Sequence, residues 1–393
     1  VAECYNDFPS GLSDWVTLTG WTTDSNRYVK IYTPTAQRHS GTKNTGFRLI
    51  SSAPGGYPTL WIKNPNIIIE GIEVRTASTQ HHFSVDISSG SGWVKISHNL
   101  FDGAGPVSTG YGYVYAAPGT VVVHIWNNFF YSLGRGIHVE TTTPDCYIYG
   151  NSFFNSGRGI HVANGSKVHA KNNTALNCGG NDFYLTSYFA GDSCNNCSTE
   201  GPASSTRAPG AGSLFEKAGV DNYLNISSGS EDLHVKNVSA AIYNAGANLA
   251  SDAYLPFNDD IDGDARSGWC IGADELGPVT HTSTFTIDAL IQTTPTLTFT
   301  IDAYIATLET FTIDAYIAEH KTQTFTIDAY IATLETFTID AHIAEHKTQT
   351  FTIDAYIATL ETFTIDAHIA EHKTQTFTID AYIATLETFT IDA

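Results

Sequence analysis

Along residues 60–175 the chain alternates apolar and polar positions in short runs. The alternation recurs in register as Ile67-x-Ile69-x-x-Ile72-x-Val74, Val94-x-Ile96-x-x-Asn99-x-Phe101, Val123-x-Ile125-x-x-Asn128-x-Phe130, Cys146-x-Ile148-x-x-Asn151-x-Phe153 and Val168-x-Ala170-x-x-Asn173. The steps are 27, 29, 23 and 22 residues. Period two means β-strand, and steps of this size are the coil lengths of a parallel solenoid whose inward face is apolar. The pattern predicts that Ile69, Ile72, Val94, Ile96, Val123, Ile125, Ile148 and Val168 point inward. It also predicts that Asn99, Asn128, Asn151 and Asn173 stack at one corner, where asparagine tolerates left-handed backbone. Gly134-Arg-Gly-Ile-His-Val139 and Gly157-Arg-Gly-Ile-His-Val162 repeat at 23 residues, the same step as Asn128 to Asn151.

From residue 284 the texture changes to a near-perfect repeat. FTIDA recurs with phenylalanine at Phe285, Phe299, Phe311, Phe325, Phe337, Phe351, Phe363, Phe377 and Phe389, in alternating steps of 14 and 12, a true period of 26. Thr, Phe, Ile and Tyr favour strands, so propensity agrees with the alternation. The connectors T-L-E and E-H-K-T-Q lack the Asn-Gly or Gly-Gly of tight hairpins, which favours a two-stranded-per-coil solenoid over an antiparallel meander. The chain is therefore read as all-β, with a right-handed parallel β-helix over 1–278 and tandem β-strand repeats over 279–393, divided near Gly277-Pro278.

Composition narrows the partners. With 393 residues, 42% of them hydrophobic, there is ample material for packed cores. The net charge of −21 removes the electrostatic footprint of a nucleic-acid binder. No run of 18 apolar residues occurs, so no membrane span is expected. Methionine is absent and the sequence begins at Val1, which reads as processing after export. Six cysteines (Cys4, Cys146, Cys178, Cys194, Cys197 and Cys270) then suggest disulfides, with Cys194 and Cys197 stapling an irregular excursion from about Ser187 to Leu214.

The coils resemble the pectate-lyase-like β-helix superfamily. The stretches Asp260-Ile-Asp-Gly-Asp-Ala-Arg266 and Ile271-Gly-Ala-Asp-Glu275 are similar to the close of secreted bacterial β-helix proteins of the choice-of-anchor type. Ser239-Ala-Ala-Ile-Tyr-Asn-Ala-Gly246 resembles the Ser-Pro-Ala-Ile-Asp-Ala-Gly segment usual there, with Pro and Asp replaced. The resemblance covers about residues 20–277 and implies the fold and secretion. It implies no single activity, because the fold hosts lyases, hydrolases and adhesins alike.

Candidate chemistry is sparse. A uronate lyase needs an Arg or Lys base beside acids that hold Ca²⁺. Lys95, His124, Tyr147 and His169 line up on one outward face, and Arg135, His138, Arg158 and His161 on another, but no acid cluster accompanies them. They are candidate glycan contacts, and repetition alone would also generate them. Asp260, Asp262 and Asp264 alternate around a glycine as in a Ca²⁺ loop or a polar turn, making structural calcium the one cofactor suggested.

Between 280 and 393 there are 16 acids against 3 lysines, a net −13. In-register pairing would set Asp beside Asp at about 4.8 Å. The sequence ends within a unit, at Phe389-Thr-Ile-Asp-Ala393, like an uncovered edge open to another chain. The reading is an extracellular, non-enzymatic structural protein that assembles with copies of itself into a filament or surface layer. The alternative is a carbohydrate-active β-helix, a polysaccharide lyase or a glycan-binding adhesin.

Overall fold

The computed structural model describes residues 1–392 apart from 77–79, 104–109, 117–119, 141–144, 164–166, 180, 185–188, 277–283, 292–295, 318–321, 344–348 and 370–374. From residue 284 onward the description is of backbone and strand register. The chain forms two compact units, Val1–Gly277 and Pro278–Ala393, and the expected junction at Gly277-Pro278 lies outside the described residues.

The first unit is a right-handed parallel β-helix. Up to Phe183–Tyr184 its chain visits three parallel walls in rotation. Wall one has seven strands, including Ile67–Glu70, Ser91–Ser97, Thr120–Trp126, Cys146–Tyr149 and Val168–Lys171. Wall two has eight, including Glu73–Arg75, Leu100–Asp102, Phe129–Tyr131, Ser152–Phe154, Thr174–Leu176 and Cys197–Ser198. Wall three has seven, including Pro58–Ile62, His81–Ile87, Arg135–Glu140 and Ile160–Ala163. Register follows the sequence alignment: Ile69 pairs with Ile96, Ile96 with Ile125, Ile125 with Ile148, and Ile148 with Ala170. All eight side chains expected inward lie in one buried cluster. Phe101, Phe130 and Phe153 stack inside it at 4.9 and 4.5 Å between ring centres. That stack explains a glycine of the Gly-Arg-Gly-Ile-His motif, since a Cβ on Gly136 would lie 2.2 Å from Phe153 Cδ1.

The asparagine ladder forms as expected. Asn99 Nδ2 donates to Asn128 Oδ1, Asn128 to Asn151 and Asn151 to Asn173, at 2.9, 2.9 and 3.1 Å. Two expectations change. The left-handed residue of each corner is the one before the ladder asparagine: His98, Asn127, Gly150, Asn172 and Asn195 have φ between 49° and 57°. The ladder also continues, with Asn173 Nδ2 bonded to Asn196 Oδ1 at 3.0 Å, so residues 189–214 extend the coil instead of leaving it. Within that stretch Thr174 pairs with Cys197, and Cys197 in turn bridges to Leu214.

All six cysteines are free thiols in this structure, so the expected disulfide framework finds no support in it. Cys146 and Cys178 fill the interior cluster, while Cys197 and Cys270 lie in a second apolar layer outside wall two. Buried thiols behave as small apolar side chains, and Cys146 occupies the position of Val94, Val123 and Val168 in the other coils.

The second unit is a five-stranded sheet of Thr284–Ile291, Thr296–Ile317, Thr322–Ile343, Gln349–Ile369 and Gln375–Asp392, all parallel. Paired residues stand 26 positions apart and are mostly of the same type, as in Phe299 with Phe325 and Asp302 with Asp328. A straight 22-residue strand would run roughly 70 Å, whereas the five chain steps from Ile317 to Thr322 span at most about 18 Å. Each long strand must therefore fold back on itself. Register is interrupted at Ala306 and Glu309, around the T-L-E connector, where the two FTIDA arms of a coil meet. Parallel pairing at the full period is the solenoid alternative and excludes the meander.

Candidate functional site

Wall one places the first predicted group in a single column: Lys95 pairs with His124, His124 with Tyr147, and Tyr147 with His169. The rings stack, His124 on Tyr147 at 5.4 Å and Tyr147 on His169 at 4.6 Å. The column is not an open platform. Tyr254, from the stretch that follows the coils, stacks on Tyr147 at 5.0 Å, and Tyr147 and His169 are buried. Beside it Lys171 Nζ pairs with Asp252 at 2.8 Å, and His169 Nδ1 meets Asp192 at 2.6 Å. Lys95 and His124 stay half-exposed, Lys95 lying 4.9 Å over the Trp93 ring.

Wall three builds the second group. His138 pairs with His161 and their rings stack, 4.3 Å apart with 4° between their planes. Arg135 Nη1 donates to His138 Nδ1 at 2.8 Å, and Arg158 Nη1 to His161 Nδ1 at 3.1 Å. An imidazole nitrogen that accepts from guanidinium is deprotonated. Burial and then the neighbouring arginines hold His138 down to about 4; burial, His138 and the arginines hold His161 down to about 3. Both rings are neutral at pH 7. The two arginines, one of them lying 3.9 Å over Tyr184, orient imidazoles, and the described residues beside them include no acid cluster of the kind a lyase needs.

Residues 219–276, which sequence reasoning treated only as a closing segment, form a layer over walls one and two. Tyr223, Leu233, Val235, Ile242, Ile261 and Ile271 pack on Leu100, Phe129, Tyr131, Phe154 and Leu176 of wall two. The left-handed corner asparagines project outward and grip this layer. Asn127 Nδ2 donates to Asp259 O at 2.8 Å, Asn172 Nδ2 to Ala247 O at 2.7 Å, and Asn195 Nδ2 to Ala245 O at 2.9 Å. Arg266, fully buried, ties the layer together by donating to the carbonyls of Asp259, Gly272 and Ala273 and to Asn127 Oδ1.

The acidic turn divides its three aspartates. Asp260 Oδ1 accepts the backbone N–H groups of Asp262, Gly263 and Asp264 at 2.9–3.0 Å, so its carboxylate is committed to the turn. Asp264 is exposed. Asp262 reaches His234, whose Nε2 lies 3.0 Å from its Oδ2 and whose Nδ1 is hydrogen-bonded to Asp232. Asp274 completes the group, and one donor atom each of His234, Asp262 and Asp274 lies within 4.8 Å of the others. Burial alone would lower His234; its bonds to Asp232 and Asp262 and the charge of Asp274 outweigh burial and lift it to about 11. Burial pushes Asp274 up to about 7. Of the expected calcium set only Asp262 takes part. Its actual partners sit 28 and 12 residues away, and sequence spacing gave no sign of them.

A second polar cluster also lies between the layer and wall two. Lys43 Nζ bridges Asp102 at 2.7 Å and Glu231 at 2.9 Å, over the face of Tyr131.

Comparison with known proteins gives one match: the family model described as right-handed beta helix region aligns with residues 88–219. No curated protein and no solved structure matches the chain. The aligned stretch contains both outward columns and the whole asparagine ladder from Asn99 to Asn196, and stops where the covering layer begins.

Proposed function

We propose that this is a structural protein of the cell exterior, in which the repeat unit joins copies of the chain and the β-helix is the body so joined. The observation that carries this reading is the 26-residue register of the second unit, in which every paired position but a few faces its own type. A coil with that property suits a coil of another molecule as well as it suits its own neighbour, by strand addition. Heterologous contacts of this kind grow into open fibres instead of closed rings. The nine repeat phenylalanines fall into two columns, Phe285, Phe311, Phe337, Phe363 and Phe389, and Phe299, Phe325, Phe351 and Phe377; their side chains lie outside the description. Negative-stain microscopy tests the reading. The full chain should form filaments or sheets at high concentration, and a chain ending at residue 276 should not. A full chain that stays monomeric would defeat it.

Glycan binding is the second reading, and it moves to a different surface. Trp15 and Tyr57 are 37% and 46% exposed, and Tyr57 lies 5.8 Å from Trp61, which Lys63 covers at 3.8 Å. Exposed aromatic faces beside a cation suit sugar rings. Co-sedimentation with insoluble neutral polysaccharides, lost in Trp15→Ala with Tyr57→Ala, would favour this reading over assembly.

A further inference from the structure

The geometry points to a divalent transition-metal site suited to Zn²⁺, made by His234 Nε2 and one carboxylate oxygen each from Asp262 and Asp274. The three donor atoms lie within 4.8 Å of one another, compact enough for one ion to draw them to bonds of about 2.0–2.2 Å by small side-chain rotations. Each donor is held from behind. Asp232 fixes the His234 ring at Nδ1, the carboxylate-to-histidine arrangement that orients metal-ligating imidazoles. Asp274 Oδ2 accepts the Val235 N–H at 2.6 Å. Asp262 keeps a buried second oxygen, Oδ1, with no hydrogen-bond partner.

Charge gives an independent reason. Asp232, Asp262 and Asp274 surround a single imidazole; in the same layer Arg266 is committed to carbonyls and to Glu275 at 3.6 Å, and Lys236 Nζ to Val220 O at 2.9 Å. Three carboxyls about one ring leave negative charge that a dication compensates. The backbone also closes over the place: a Cβ on Gly41 would lie 2.1 Å from His234 Nε2, so only glycine lets that loop approach. A nitrogen donor with two carboxylates selects zinc-like ions over Ca²⁺, which prefers six to eight oxygens. The ion would cross-link three stretches of the covering layer, around residues 234, 262 and 274, next to the loop at Gly41. It would staple the covering layer without a disulfide.

The experiment uses the full chain after chelator treatment and dialysis. Calorimetric titration with ZnCl₂ should show one saturable site, a raised thermal midpoint, and no displacement by equimolar CaCl₂. Asp262→Asn, a partly exposed change, should weaken zinc about tenfold or more, while Asp264→Asn should leave it unchanged. Co²⁺ in the unaltered chain should give d–d absorption without the thiolate charge-transfer band that cysteine ligation brings, a readout that needs no variant to fold. Absence of saturable Zn²⁺ binding, equal affinity in Asp262→Asn, displacement by Ca²⁺, or a thiolate band would each overturn the site. His234 would then be a protonated clamp between Asp232 and Asp262 and nothing more.

Discussion

A coil of the β-helix and a coil of the repeat unit use the same backbone ladder and specify it in opposite ways. In the β-helix each rung is individual: Cys146 follows Val123, Ala170 follows Ile148, and the steps between rungs vary. Its register is fixed by side chains that fit one way only, the Asn99-to-Asn196 ladder and the Phe101, Phe130 and Phe153 stack. In the repeat unit Asp302 meets Asp328, Asp354 and Asp380 in turn, and a slip by one whole coil restores every neighbour except at the edges. Variation gives a unique partner, and identity gives interchangeable ones.

The largest expected contrast is in acid. Burial holds His39, His82 and His161 down to about 3 and His124 and His138 to about 4, whereas unfolded histidine titrates near 6.5. Below pH 6.5 the unfolded chain therefore binds five protons that the native β-helix refuses. Asp182 and Asp274, raised to about 7 by burial, hold protons in the native state and act in the opposite sense. His234 is protonated in both states across this window and cancels. The five histidines outnumber the two carboxyls, so stability falls as the pH drops from 6.5 toward about 4.5. Urea midpoints at pH 7 and pH 5 should show it; no change between them would mean the buried imidazoles are charged. Next, Arg266→Ala should cost the β-helix about 3–5 kcal/mol, because it strips the partner from buried carbonyls and from Glu275, and should leave the repeat unit's transition in place. Asn151→Ala should cost roughly 1–3 kcal/mol by interrupting the ladder, measured by urea unfolding. The smallest effect runs the other way. Raising salt should stabilise the repeat unit by a few tenths of a kcal/mol per coil by screening its aspartate columns, with little effect on the β-helix, as two-transition thermal melts would resolve.

The strands, their register, the inward residues and four of the ladder asparagines were legible because a period of two and a fixed coil step both leave marks in one dimension. Asn196 carried the same mark, 23 residues after Asn173, but it stands between the two cysteines that read as a staple of an irregular excursion. Cys146 already stood at a valine position in the alignment, so its role as an apolar filler was visible in the pattern that found it. The Lys95 to His169 column was placed correctly but not its cover, since nothing near Tyr147 in sequence announces Tyr254. Residues 219–276 lack any repeat, and their structure depends on contacts with asparagines up to 139 positions away, as between Arg266 and Asn127.

The 26-residue register has a consequence for how such a chain changes over generations. Losing or gaining one whole unit leaves each surviving coil between the same neighbours as before, so no compensating substitution is required. Length becomes a quantity that can be altered in single steps of about 4.8 Å, like links in a chain, whereas each rung of the β-helix has neighbours of its own.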